Sequence, residues 1–311
     1  MGSRNLQEAL QDVAFTTATP FTDEGTAVKY DAAKANVEYL IDHGARLFVP
    51  CGNTGEYYSL TNDERVGMVN ATVDAVPEDG TVIGGVGGPL PEAIDLATRY
   101  ESCGADGIMV MNPAHTYLHQ QGVRDYYERI ADATDLGIVI YKRGDAVSRD
   151  VIAALSKRGD VVGVKFAVND IKGFAKAVAT VPGDLVWING IAERYAPSFA
   201  LEGATGLTTG IGNFAPDATL ALYEAIERHE WDLAKEIRET IRPFEDLREE
   251  TGTDNELAAA NNVPAVKYAM DAVGLDGGPV RPPLVGLSER DQERAEEYLE
   301  RLGTLEPTTT R

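Results

Sequence analysis

Eight short apolar, β-rich runs punctuate the first two thirds of the chain, and their regularity limits the fold more than any other feature. They start at residues 13, 46, 81, 107, 137, 161, 185 and 206, so they recur every 21 to 35 residues. That interval is the length of one strand, a loop and a returning helix. The runs cover 13–16, 46–51, 81–86, 107–111, 137–141, 161–166, 185–188 and 206–211. Two of them, Ile138-Val139-Ile140 and Val161-Val162-Gly163-Val164, are apolar without alternation, the pattern of strands covered on both faces. Helix start signals fill the segments between. Asp31 precedes Ala32-Ala33-Lys34, and Thr61 stands three before Glu64 as a capping box. Pro91 and Pro216 each open a helical stretch.

Eight strands in strict alternation with helices predict an α/β fold, a (β/α)8 TIM barrel, over an open doubly wound sheet. A dinucleotide-binding sheet would carry G-x-G-x-x-G after its first strand, and none follows residues 13–16. The run Gly84-Gly85-Val86-Gly87-Gly88 reads as a tight βα loop instead. The barrel is expected over residues 1–228 as the catalytic domain, followed by a C-terminal helical extension over 229–311. Three helices are predicted there, at about 231–250, 254–273 and 288–301, with a Gly- and Pro-rich loop over 274–283. Thr308, Thr309 and Thr310 are expected to fray.

Composition narrows the partners. Among 311 residues, 43% are apolar and 25% charged, which is globular rather than disordered. The formal charge of −22 repels nucleic-acid phosphates and anionic lipid, so neither is an expected partner. No apolar run reaches the length of a membrane span, and the N-terminus lacks the layout of a secretory signal. With only Cys51 and Cys103, the expectation is a cytoplasmic protein without a disulfide framework. Lysine is scarce, 9 residues against 19 arginines. An acidic solvated surface explains that balance; adaptation to high salt explains it more sharply, since the depletion runs through the whole chain.

Active sites of such barrels lie at the C-terminal ends of the strands. Lys165 stands inside an apolar strand, where an unpaired charge is costly and the amine's pKa should fall. A neutral amine suits imine chemistry with a carbonyl substrate; a lysine paired at the strand's wet end is the plain alternative. Tyr141 ends the fifth run and could move a proton near such an imine, or simply pack at the rim. The turn Cys51-Gly52-Asn53-Thr54-Gly55-Glu56 offers backbone N–H groups and a hydroxyl for a carboxylate, or is only a tight turn. His115 and His119 are four apart but lack a third ligand, so neither a metal nor a cofactor is expected.

Gly52-Asn53-Thr54-Gly55-Glu56, the Tyr141 strand end and Gly163-Val164-Lys165 together resemble the dihydrodipicolinate synthase/N-acetylneuraminate lyase family. Ile188-Asn189-Gly190 and Gly212-Asn213-Phe214-Ala215-Pro216 extend the likeness over about residues 12–300. The resemblance implies a Schiff base between Lys165 and a 2-keto acid, with Tyr141 as proton shuttle and Asn53 and Thr54 on the substrate carboxylate. Gly190 and Thr208 become further substrate contacts. It also implies a homotetramer, with His115 at a site rim or an interface.

Departures point to a branch. The synthases resembling this chain carry two threonines in the first loop, where Asn53 stands for one. They place a tyrosine in the segment that here reads Asn112-Pro113-Ala114-His115-Thr116. Tyr141-Lys142-Arg143-Gly144-Asp145-Ala146 instead is similar to the sugar-acid dehydratases, typified by 5-keto-4-deoxyglucarate dehydratase. Tyr57 after Glu56 and the 213–216 segment fit them too, whereas Phe166 replaces the acid they carry after the lysine. The implied function is dehydration of 2-keto-3-deoxyxylonate or -arabinonate to 2,5-dioxopentanoate, with Arg143 at the far end of the substrate. A decarboxylating glucarate-type dehydratase, a pyruvate-releasing aldolase and a non-enzymatic binding protein are the alternatives.

Overall fold

The computed structural model describes residues 3–303, so the threonines at 308–310 lie outside the described residues. The chain opens with α1 (Ser3–Ala9), β1 (Val13–Phe15), α2 (Tyr30–Asp42), β2 (Leu47–Phe48), α3 (Asn62–Ala75) and β3 (Thr81–Val86). It continues through α4 (Leu90–Ser102), β4 (Gly107–Val110), α5 (Gln120–Ala131), β5 (Gly137–Lys142), α6 (Arg149–Leu155) and β6 (Val161–Phe166). α7 (Ile171–Thr180), β7 (Val186–Asn189), α8 (Ala196–Leu201), β8 (Gly206–Thr209) and α9 (Pro216–Glu227) complete the alternation. The eight strands pair in chain order, all parallel, and β8 closes on β1 through Val13↔Leu207 and Phe15↔Thr209. This is the barrel the spacing predicted, with the helices outside.

Local chemistry sets most boundaries. Thr61 and Glu64 exchange both bonds of the capping box at the start of α3, Glu64 N to Thr61 Oγ1 at 3.2 Å and Thr61 N to Glu64 Oε2 at 2.9 Å. Ser148, Asp170 and Ser288 cap α6, α7 and the last helix with a single bond each, the side chain accepting from the N–H three residues on. The second strand is shorter than its apolar run: Pro50 has no N–H to give, and Cys51 turns to a left-handed φ of 58°. The eighth run likewise ends as a strand at Thr209, and residues 211–213 form a 3-10 turn. Gly84 and Gly85 are not loop residues but the middle of β3, pressed between the Tyr100 ring and the Cys51 backbone. Only Gly87 and Gly88 begin the turn.

α1 has no counterpart among the predicted elements. Its Leu6, with Leu10 just beyond, closes the bottom of the barrel, where Leu6 meets Gly107 and Gly137 at the starts of β4 and β5. Glycine at those strand starts leaves room for the leucine.

Past the barrel come α10 (Trp231–Glu249), α11 (Asn262–Ala272) and α12 (Glu289–Leu302). The second of these starts eight residues later than its periodicity suggests. Asp254 and Ala259 adopt left-handed φ of 55° and 59°, and the Asn255 amide bonds the carbonyls of Thr251 and Leu257, so residues 254–261 form turns. Pro243 sits inside α10 and cannot donate to the Glu239 carbonyl; Arg301 of α12 donates to it at 3.2 Å instead. Leu222, Ile241, Phe244, Val266 and Ala295 knit α9 to α12 into one apolar cluster. Among the described residues no helix is long and apolar enough to cross a membrane.

Candidate active site

All strands aim their C-terminal ends at one mouth, which gathers residues far apart in sequence. On β6 the alternation of the pleat sends Phe166 outward, where its ring meets Phe174 at 5.3 Å and Phe199 at 6.2 Å under the helices. Lys165 therefore points into the barrel. It is 5% exposed, in register with Tyr141 of β5, and its Nζ stands 4.9 Å from the centre of that phenol ring. Burial first, then Arg143 and Arg248, push its pKa down to about 7, and no carboxylate opposes them. At neutral pH a large share of this amine is unprotonated, the form that attacks a ketone.

The Tyr141 hydroxyl accepts a 2.9 Å bond from Asn53 Nδ2 across the barrel mouth. Burial raises its pKa and the nearby Arg143 works against that rise, so the phenol keeps its proton at neutral pH. Thr54 accepts a 3.1 Å bond from Thr16 at the end of β1. The loop that carries Asn53 and Thr54 is strained, with Cys51 and Glu56 both left-handed at φ 58° and 54°. Conformations of that kind cost about 1–3 kcal/mol each and persist only where the surroundings impose them. The extension grips the Glu56 end of that loop: the buried Glu56 carboxylate accepts from Lys267 Nζ at 2.8 Å and from Arg281 N at 3.1 Å.

Thr208 of β8 donates to the Asn189 carbonyl at 3.1 Å, and Gly190 follows β7 directly. Arg143 is exposed in the loop after β5. A cavity of about 470 Å³ takes its walls from Asn53, Thr54, Tyr141, Arg143, Lys165, Gly190 and Thr208. All seven residues singled out from sequence thus share one space. Phe166 is not among the lining residues, so the substitution after the lysine does not touch this cavity. His115 is outside it too; its ring accepts from the Tyr117 N–H in an exposed loop. His119 caps α5 through Gln121 N at 3.2 Å. Among the described residues no three His, Cys, Asp or Glu side chains gather as metal ligands.

The cavity also has walls that sequence reasoning missed. Thr16 and Tyr58 come from the barrel, whereas Glu245, Arg248 and Asn262 come from the extension. Arg248 is buried and bonds Glu245 and Asn262. The loop after β7 is tied to the same helix by Arg194, which pairs with Asp246 and Glu249 of α10. Glu193 lies buried beside Glu245, and burial and that neighbour raise its pKa. Nothing local marks these residues, because a charged residue on an amphipathic helix reads as solvent-facing until its partner is known.

A model of the dihydrodipicolinate synthetase family matches residues 9–302. The chain belongs to that family. It is a lyase of the Schiff-base kind, as the family's synthases and dehydratases are. A probable 5-dehydro-4-deoxyglucarate dehydratase of Bacillus licheniformis is 30% identical over 311 residues, 98% of each chain. An uncharacterized DapA-like lyase of Halobacterium salinarum is 30% identical over 288 residues, 91% of each chain. Among solved structures, dihydrodipicolinate synthase from Oceanobacillus iheyensis superposes with a TM-score of 0.91 at 33% identity, over 97% of this chain and 100% of its own. For a family that works through a lysine imine, this cavity offers one lysine in its wall, Lys165.

Proposed function

We propose that this lyase dehydrates a 2-keto-3-deoxy sugar acid. The observation that carries the reading is the juxtaposition of an unpaired, buried Lys165 with Tyr141, whose hydroxyl is held by Asn53. Lys165 attacks the C2 ketone and releases water, and the iminium acidifies the C3 hydrogens. Tyr141 relays one of them, giving an enamine that expels the C4 hydroxyl as water. Loss of a C5 proton, tautomerisation and hydrolysis then free the dioxo acid and the lysine. Asn53 and Thr54 hold the substrate carboxylate, with Gly190 and Thr208 along the substrate and Arg143 at the mouth.

The first substrate is the five-carbon acid, 2-keto-3-deoxyxylonate or -arabinonate, which loses one water to give 2,5-dioxopentanoate. A second reading, the six-carbon 5-keto-4-deoxyglucarate, is favoured by the dehydratases among the relatives. It gives the same product with loss of carbon dioxide as well. NMR of the products in molar salt decides: dioxopentanoate from the five-carbon acid supports the first reading, and dioxopentanoate with carbon dioxide from the six-carbon acid alone supports the second. Pyruvate and glycolaldehyde from the five-carbon acid would make the protein an aldolase and sink both. Molar salt is chosen because the charge of −22 and the likeness to a Halobacterium lyase support a saline cytoplasm as its setting. A homotetramer is the assembly proposed, to be read by sedimentation.

A further inference from the structure

Arg248 borders the cavity from α10 and is not fully used by the protein around it. A guanidinium carries five N–H donors. Nη1 donates to Glu245, Nη2 to Asn262 Oδ1 at 3.0 Å, and Nε to the Asn262 carbonyl at 3.3 Å. One N–H on each terminal nitrogen is left over, and the residue is 5% exposed. Leaving charged donors without acceptors in a buried site is costly, so a paired acceptor in the cavity would be favourable.

The shape of the cavity says what brings that acceptor. The Asn53–Tyr141 hydrogen bond spans from the β2 loop to β5 and bridges that side. The β7–β8 side is walled by Gly190, Ile191, Ala192, Thr208, Thr209 and Gly210, none of them charged and none longer than the isoleucine. The guanidinium stands over Gly210, where a Cβ would lie 2.5 Å from Nη2. Lys165 and Arg248 both border this cavity, and a chain anchored at the lysine can run along this uncharged wall toward the guanidinium.

We infer that Arg248 is a substrate contact whose two remaining N–H donors hold the oxygen at the far end of the sugar acid. The inference rests on the dehydratase reading above. The shared chemistry is a terminal acceptor oxygen, the C5 hydroxyl of the five-carbon acid or, in the six-carbon one, the carboxylate farthest from the ketone. Glu245 and Asn262 position the fork, and the extension thereby reads substrate length for a lysine that belongs to the barrel.

Pyruvate separates the two ends, because it has the carboxylate and the ketone but no far end. Borohydride delivers hydride to its imine with Lys165, leaving a stable secondary amine that mass spectrometry detects. The quantity to measure is the sugar acid concentration that halves pyruvate labelling, divided by pyruvate's own half-saturating concentration. Both ligands need the neutral amine, so the ratio cancels any change in its ionisation. Arg248→Met should raise the ratio about 10- to 100-fold, the range of a hydrogen bond to a charged group. Gly210→Ala, which crowds the guanidinium and keeps its charge, should raise it in the same direction. A ratio unmoved in Arg248→Met overturns the inference; should that variant not fold, an unmoved ratio in Gly210→Ala overturns it. Failure of the dehydratase reading shows elsewhere, in wild-type protein that forms no dioxopentanoate.

Discussion

Lys165 and Lys267 are buried to a similar degree, 5% and 1% exposed, yet their surroundings are opposite. Lys267 is satisfied donor for donor: Glu56 Oε1 at 2.8 Å, the Thr19 carbonyl at 2.9 Å and the Pro279 carbonyl. Burial lowers its pKa, and Glu56 pulls it back. Lys165 has the face of a phenol, two arginines and the cavity it lines. A buried amine with a carboxylate partner is a strut; one without is a nucleophile. The two are linked, because the strut at Lys267 holds Glu56, and Glu56 ends the loop that presents Asn53 and Thr54.

The comparison breaks most visibly at Lys165. Lys165→Met should abolish both turnover and the borohydride-trapped pyruvate adduct; persistent turnover would remove the imine from the mechanism. Next in size, Tyr141→Phe should lower kcat by about 10²–10⁴-fold, the usual contribution of a positioned acid–base group. Pyruvate labelling should survive in that variant, since the amine is still there. A kcat within twofold of wild type would assign the proton transfer to another group.

Lys267→Met tests the strut. It leaves the Glu56 carboxylate buried and uncompensated, and denaturant unfolding should show a loss of about 3–5 kcal/mol. A loss below about 1 kcal/mol would mean that Glu56 is held by Arg281 and solvent instead.

The last effect is the most diagnostic, because it has the opposite sign. Lys165 titrates near 7 in the folded protein against 10.5 for a free side chain. Between those values the unfolded chain binds more protons, so this group makes stability rise with pH across the window. Lys165→Met removes that burden. The variant should therefore be more stable than wild type, by about 1.4 kcal/mol per unit of displaced titration. The gain should be complete at and below pH 7 and fade toward pH 10.5. Melting curves at pH 6 and pH 10 that differ equally from wild type would show that Lys165 is not depressed.

Much of the fold could be read along the chain because its signals are local. Covered strands make unbroken apolar runs, and Thr61 with Glu64 announces a helix within four residues. Lys165 was visible for the same reason, as a charge inside such a run. The misses have a common cause as well. α1 is a short helix whose function, closing the barrel floor with Leu6, needs the glycines of β4 and β5 to be in place. The turns at 254–261 hide among residues whose spacing also suits a helix, until left-handed Asp254 and Ala259 are seen.

The alternation of the eight strands with their helices, and the side chains placed at each strand's end, are written along the chain. Those follow from periodicity and from chemistry within a few residues. Folding in three dimensions is what sets Lys267 against Glu56, turns Phe166 away from the cavity, and leans Arg248 over Gly210 toward it. The reason is physical. Burial, ion pairing and desolvation depend on distance through space, and barrel closure brings together residues that no local pattern connects.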